Sequence, residues 1–521
     1  MDDRLSVAHA TKVDQAVHVA CQGCTVSATN AFVNAGTMAT TSSGMPVMPL
    51  RNLIALFLAA VLSMACYQRA ARNRFVGTLA EAMNLIDNHY VEPVDNRELF
   101  EGAMSGMLDK LDPYSSYTNP KDYKRFKEGL DQLFYGIGIM VEINPETKRL
   151  TVMNPLPDSP AQKAGILPGD VILKIGDHDT KDMPLEKSVQ YMRGAEGSPV
   201  TITIQHSDGS EPRELTLNRA KIPIESVRGD SRNAQGTWDF HLEEDRRLGL
   251  VRVSTFGEQT IEEFRKALES FNQSGQEIEG LIIDLRSNPG GLLNAAKDMC
   301  DMFLDEGVIV TTRGRGGVAT STYSAEPGVL LKREVPIVVL VDRYTASASE
   351  IVSACLQDYG RAVVCGERTW GKGTVQNVAE LEGGRSAMRL TTATYWRPSG
   401  MNIHKKKDAK EEDEWGVRPD EGMLVELTDE QREKINQQRT ERDFASFRGT
   451  AKPPKPRAEE PPPMKPSPDT PLGEPPVPKI EENPDSKPRN KPDAPLDDPQ
   501  MRRAIDHLKQ QLVRDREPKA A

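Results

Sequence analysis

The stretch RYTASASEIVSAC, Arg343 to Cys355, carries the hydroxyls of Thr345, Ser347, Ser349 and Ser353 within nine positions. A serine oxygen attacks a carbonyl only when a base removes its proton and fixed donors receive the resulting oxyanion. Ser347 is the best placed of the four. It follows the apolar run PIVVLV, residues 336–341, across a short turn and opens a helical segment. That puts it at the carboxyl end of a strand, where α/β enzymes place reactive groups. The first N–H groups of a helix have no intrahelical acceptor and can face an oxyanion. A structural reading stands beside the chemical one. Ser347-x-x-Glu350 fits a capping box, in which the serine oxygen serves the backbone and its loss costs about 1 kcal/mol. Ser349 and Ser353 fall in the helix body.

A base must be found elsewhere. Only two of the eight histidines, His404 and His507, follow Ser347 in the chain. Lysine can serve if burial strips its ammonium of water and makes the neutral amine available. TWGKGTVQ offers Lys372 between Gly371 and Gly373, beside Trp370. The glycines leave the backbone room to approach another segment. The plain alternative is a surface charge in a glycine turn.

TASASEIVSACLQD, GERTWGKGTVQ, DLRSNPGG and LDPYSSY, taken together, resemble the carboxyl-terminal processing proteases, a PDZ-containing serine-protease family with a Ser–Lys dyad. The likeness covers about residues 76–425. It implies that Ser347 is the nucleophile, Lys372 the general base and Gln376 the group that orients the lysine amine. It implies oxyanion donors at the Ala348 N–H and at Gly290 or Gly291. Two positions depart from the family pattern, Tyr114 where histidine is usual and Thr345 where serine is frequent; neither is expected to touch the dyad. The implied fold is a crotonase- or ClpP-like α/β core with an inserted PDZ domain and helical N- and C-terminal elements. No metal or organic cofactor is implied.

YGIGI and SPAQKAGILPGDVILKIG resemble the family's PDZ domain. In that mode backbone N–H groups of the loop Tyr135, Gly136, Ile137, Gly138 and Ile139 hold a substrate carboxylate, and the peptide adds a strand beside residues 139–142. Arg193 resembles the arginine that couples the occupied PDZ domain to the active site. A helix C-terminal charge answering the dipole is the plain alternative. The implied partners are polypeptides with a free C-terminus, with a homo-oligomer or adaptor as a further possibility. The rival function is an exported PDZ scaffold with an inactive core; the rival base is His404.

The elements that must position these groups follow from periodicity. Residues 75–132 show helical spacing, and 133–220 read as a strand-rich domain with one amphipathic helix, Leu185–Met192, stopped by Gly194. Asp208-Gly209 marks a turn between two strands. From Leu248, apolar runs alternate with amphipathic helices, which implies βα units on a buried sheet within a core spanning 221–430. Proline saturates 449–495, so that segment reads as an extended tether. Helical spacing returns in 496–516 at Met501, Ile505, Leu508 and Leu512, with Asp497 or Asp498 as cap. That stripe is expected to dock on the body or on a second subunit.

Composition sets the outer bounds. A 521-residue chain supports several domains. Its net charge of −11 argues against a nucleic-acid partner. Of six cysteines, Cys300, Cys355 and Cys365 lie in apolar runs and read as core, while the lone pair Cys21 and Cys24 makes no closed zinc site. Residues 53–67 suit a signal h-region or short anchor after a tail, 1–52, and translation from Met45 or Met48 would place a basic residue directly before it. The expected location is the cell envelope, periplasmic or extracytoplasmic.

Overall fold

A computed structural model of the chain describes residues 50–70, 74–156, 158–233, 236–273, 277–443 and 497–516. The first 49 residues, with Cys21 and Cys24, and the tether 449–495 lie outside them. The chain divides into two units at residue 99. In the first, helix α1 (Leu50–Ala70) carries the apolar run and α2 (Arg74–His89) follows. Among the described residues no helix is long and apolar enough to cross a membrane.

The second unit opens with most of α3 (Asn96–Leu108), then β1 (Ser116–Thr118) and α4 (Pro120–Leu130). Asn119 caps α4 from extended backbone, φ −67° and ψ 168°, its side chain accepting the Asp122 N–H. Next come β2 (Leu133–Gly136), β3 (Ile139–Ile143), β4 (Leu150–Pro155), α5 (Pro160–Lys163), β5 (Val171–Ile175), α6 (Leu185–Met192), β6 (Pro199–Gln205), β7 (Arg213–Asn218) and β8 (Ala220–Pro223). Strands β3-β4-β5-β6-β7 form one antiparallel sheet with β3 on its edge, while β2 pairs with β8. Val200, Ile202 and Ile204 alternate into the core with Leu150, Val152 and Ile172, as their period of two requires. Helix α6 ends where expected but for another reason. Arg193, its cap, is extended at φ −80°, and a Cβ on Gly194 would meet the Arg219 guanidinium at 2.7 Å. Gly194 is there for that close approach, since the Arg219 side chain bonds the Tyr191 and Met192 carbonyls.

The remaining chain builds βα units: β9 (Val227–Arg228), β10 (Leu248–Val253), α7 (Thr260–Gln273), β11 (Gly280–Asp284), α8 (Leu293–Asp301), β12 (Val308–Arg313), β13 (Ala319–Ser324), β14 (Ile337–Val341), α9 (Ala348–Asp358) and β15 (Ala362–Gly366). Then follow β16 (Thr374–Leu381), β17 (Ser386–Trp396), α10 (Asp429–Asp443) and α11 (Pro499–Arg516). Strands β10, β11, β14 and β15 are parallel neighbours, with β9 antiparallel on the edge. Val251, Leu281, Ile283, Val339 and Val341 pack toward α7, α8 and α9. The alternate residues Leu250, Ile282, Val338 and Leu340 pack on Met501, Ala504, Ile505 and Leu508 of α11. The terminal helix therefore closes the second face of the sheet, and burial on both faces is why these strands read as unbroken apolar runs. Cys300, Cys355 and Cys365 are buried thiols. A second sheet runs β1-β17-β12-β13, with β16 beside β17. Ser116 pairs with Arg389 across β1 and β17, so the antiparallel domain is spliced between β1 and the core that β1 joins.

Candidate active site

Ser347 sits at the start of α9, after β14, in the position its flanking pattern anticipated. Its backbone sets it apart from an ordinary cap. Asn119 and Ser159 cap their helices from extended backbone, at φ −67° and −73°, whereas Ser347 has φ 59° and ψ −116°. A non-glycine residue held there costs about 1–3 kcal/mol, and such strain concentrates at functional turns. Half of the capping box is made: the Glu350 carboxylate takes the Ser347 N–H at 2.8 Å, while the Glu350 N–H bonds the Ser347 carbonyl at 2.9 Å.

That carboxylate also reaches the Lys372 loop. Glu350 accepts from the Thr369 hydroxyl at 2.6 Å, the Gly371 N–H at 2.7 Å and the Lys372 N–H at 2.8 Å. Burial pushes its carboxyl above the usual range, opposed by these donors. The three backbone N–H donors among these favour the acceptor-only, ionised form. Lys372 itself is half-buried, and burial, followed by the Arg389 guanidinium, holds its amine below the ordinary lysine value, against the pull of Glu350. The buried Tyr395 phenol, pushed up to about 12 by burial, hydrogen-bonds the Ser347 side chain.

Gly290 of NPGG approaches the serine turn, while Gly291 packs on the Phe256 backbone. The Ala346 N–H bonds the Asn288 carbonyl at 3.0 Å, and a Cβ on Gly290, at φ 98°, would meet the Ser347 Cβ at 2.7 Å. The Gly290 N–H, one of the two alternatives for the expected glycine donor, is engaged: the Asn288 side-chain oxygen takes it at 2.9 Å. Gly291 is exposed, and neither its N–H nor that of Ala348 has a protein acceptor among the described residues. Of the expected donors, the Ala348 and Gly291 N–H groups are the ones left without a protein partner among the described residues.

Tyr114 corrects the expectation that the family departures stand clear of the dyad. Its ring lies 5.3 Å from the Lys372 ammonium, its hydroxyl accepts from the Trp370 indole at 3.3 Å, and it contacts the His404 ring. The Thr345 side chain does stand clear, bonding the Leu285 carbonyl and Asp342, although its carbonyl takes the Trp370 N–H of the Lys372 loop at 2.9 Å. His404 is brought to the same loop, since Gly373 packs on its backbone and Lys405 bonds Gly371. Burial lowers its imidazole.

The chain aligns with 70% of the carboxy-terminal-processing protease of Bartonella bacilliformis, 37% identical over 320 residues that make up 61% of this chain. The chain belongs to the carboxy-terminal processing proteases. It is 35% identical to the carboxy-terminal processing protease CtpB of Bacillus subtilis over 337 residues, 64% of this chain and 67% of that one. Residues 247–423 match peptidase family S41, 151–206 a PDZ domain and 63–122 the activating protease CtpB N-terminal domain. Among solved structures, the photosystem II D1 C-terminal processing protease aligns at 29% identity and a TM-score of 0.36, covering 67% of this chain and 92% of that one. The protein is thus a serine peptidase with the S41 fold and a PDZ domain.

Other residues carried over from the carboxy-terminal processing proteases sit less simply. The Gln376 amide nitrogen donates to the Thr374 and Thr391 hydroxyls at 2.9 and 3.2 Å. Thr391 in turn bonds Asp112, so Gln376 is tied to the LDPYSSY segment. Tyr135 and Gly136 are not loop residues; they pair with Lys221 and Ala220 in β2 and β8. The turn proper is Ile137 and Gly138, where φ 73° and the adjoining Ser159 side chain require glycine. Ile139 begins the edge strand β3. Between α4, β2 and α6 a cavity of about 610 Å³ is lined by Phe134, Tyr135, Leu185, Val189 and Arg193. Arg193 stacks 4.9 Å over Phe134 and pairs with Glu128 of α4 at 2.7 Å.

Proposed function

We propose that this serine peptidase captures polypeptides by a free C-terminus in its PDZ domain and cleaves them through an acyl-enzyme on Ser347, with Lys372 as general base. One observation carries the reading: Ser347, in strained backbone, and Lys372, in half-buried surroundings that favour the neutral amine, are bound to one buried carboxylate. The amine takes the Ser347 proton as Oγ attacks the scissile carbonyl; the tetrahedral oxyanion turns to the Ala348 and Gly291 N–H groups. The protonated lysine gives its proton to the leaving amine, and water, deprotonated by the same lysine, releases the acyl group. The edge strand β3 and the neighbouring apolar wall of α6 suit strand addition by a peptide tail. His404 is a second candidate base, because it lies against Gly373 in the same loop.

Incubating the purified protein with one peptide as free acid and as C-terminal amide tests the recognition. Preferential cleavage of the free acid is expected; equal cleavage of both removes C-terminal recognition, and binding without cleavage of either marks an inactive scaffold. An envelope location is part of the proposal, supported by the apolar run in α1. A reporter that is active only outside the cytoplasm, fused after residue 74, tests it.

A further inference from the structure

Asp498, legible in sequence only as a candidate helix cap beyond the tether, reaches toward the active-site loops. It caps α11 by accepting the Met501 N–H at 3.0 Å and is almost wholly buried. Its carboxylate takes Arg286 Nη1 at 3.0 Å and Nη2 at 2.9 Å, and Arg439 of α10 at 2.9 Å. Arg286 is held from its other side by a two-pronged bond to Asp284, at 2.9 and 2.8 Å, which Arg439 shares at 2.6 Å. Two carboxylates and two guanidiniums therefore form a closed, neutral, buried ring. Gln500, next on α11, also accepts from Arg286, at 3.0 Å.

Arg286 opens the loop that ends at the candidate oxyanion donor. From it the chain runs through Ser287, whose N–H is fixed by Asp342 at 2.9 Å, and Asn288, which anchors to the Val253 carbonyl at 2.8 Å and to Ala346 beside the nucleophile. Gly290 and Gly291 follow. The loop's start is thus fixed by charges, one of which arrives on the last helix of the chain.

We propose that Asp498 is a positioning residue for peptide cleavage: it sets Arg286 and, through it, the loop 286–291 that offers the Gly291 N–H. This rests on the reading of Ala348 and Gly291 as oxyanion donors. Removing the Asp498 charge leaves Arg286 and Arg439 with one carboxylate between them, and two like charges then push the loop's first residue from its place. The effect should fall on transition-state stabilisation rather than on substrate binding.

The test is Asp498→Asn in the full chain, followed by steady-state cleavage of a free-acid peptide and hydrogen exchange of α11. A kcat lower by about tenfold, with KM within about twofold and α11 still protected, is the expected result. Asp498→Asn/Arg439→Gln, which restores neutrality, should recover part of that loss. Unchanged kcat, a loss that tracks deprotection of α11, or a double variant worse than Asp498→Asn alone would each overturn the proposal. Retained cleavage in Ser347→Ala would instead overturn the catalytic reading beneath it, so the two failures are separable.

Discussion

The main-chain N–H groups of Ser347 and Lys372 donate to the same atom, Glu350 Oε2, each at 2.8 Å. Their backbone nitrogens therefore lie within twice that distance of each other, although 25 positions separate the residues in sequence. A capping residue has become the brace between Ser347 and Lys372.

Glu350→Gln should show how much that brace matters. The side chain keeps its shape but loses charge, and its NH2 turns a donor toward donors. A stability loss of about 3 kcal/mol is expected from the buried hydrogen bonds. Cleavage should fall by about a hundredfold under conditions where the variant is folded. Circular dichroism melting and peptide kinetics on one preparation check both; wild-type activity would show that the two loops hold their places without the carboxylate.

Ser347→Ala separates chemistry from capping. Activity should vanish while the melting temperature changes by only a few degrees, because a lost cap costs about 1 kcal/mol. Residual cleavage alongside a large stability loss would favour the capping role.

Gly290→Ala probes the close approach. Its φ of 98° and a Cβ at 2.7 Å from the Ser347 Cβ leave no room, so the serine turn or the loop must shift. A fall in kcat of more than about tenfold with a lowered melting temperature is expected. Unchanged kcat would show that the two turns move independently.

The acid limb of the pH–rate profile should report Lys372. A general base works when neutral, so activity rises as pH passes the lysine pKa, which burial and Arg389 hold below the ordinary value. Arg389→Met removes a like charge, raises that pKa and should move the limb to higher pH. Tyr114→Leu removes a ring that favours the ammonium and should move it to lower pH. Initial rates across pH decide; limbs that stay put in both variants would assign the profile to another group.

The sequence made some of this legible and hid the rest for physical reasons. The βα rhythm after Leu248 is local, so the parallel sheet and the strand-to-helix position of Ser347 could be read from period and order. The apolar stripe of α11 likewise foretold a docked helix, which the body receives. Glu350 was visible only as a cap, because its other donors come from Thr369 to Lys372, fixed by tertiary folding. The Asn288 claim on Gly290 and the contact of Tyr114 with Lys372 depend on how loops cross, which spacing does not encode. Asp498 showed as a helix cap, but its bond to Arg286 spans 212 positions.

The pairing of nucleophile and base is tested most directly by trapping the acyl group. Wild type, Lys372→Ala and His404→Ala would be mixed with an activated peptide ester, quenched in acid within the first turnover and mapped by mass spectrometry. The expected result is an acyl adduct on Ser347 in wild type and His404→Ala, forming at least about a thousandfold more slowly in Lys372→Ala. An adduct on another residue, or one on Ser347 that forms equally fast without the Lys372 amine, would contradict the mechanism.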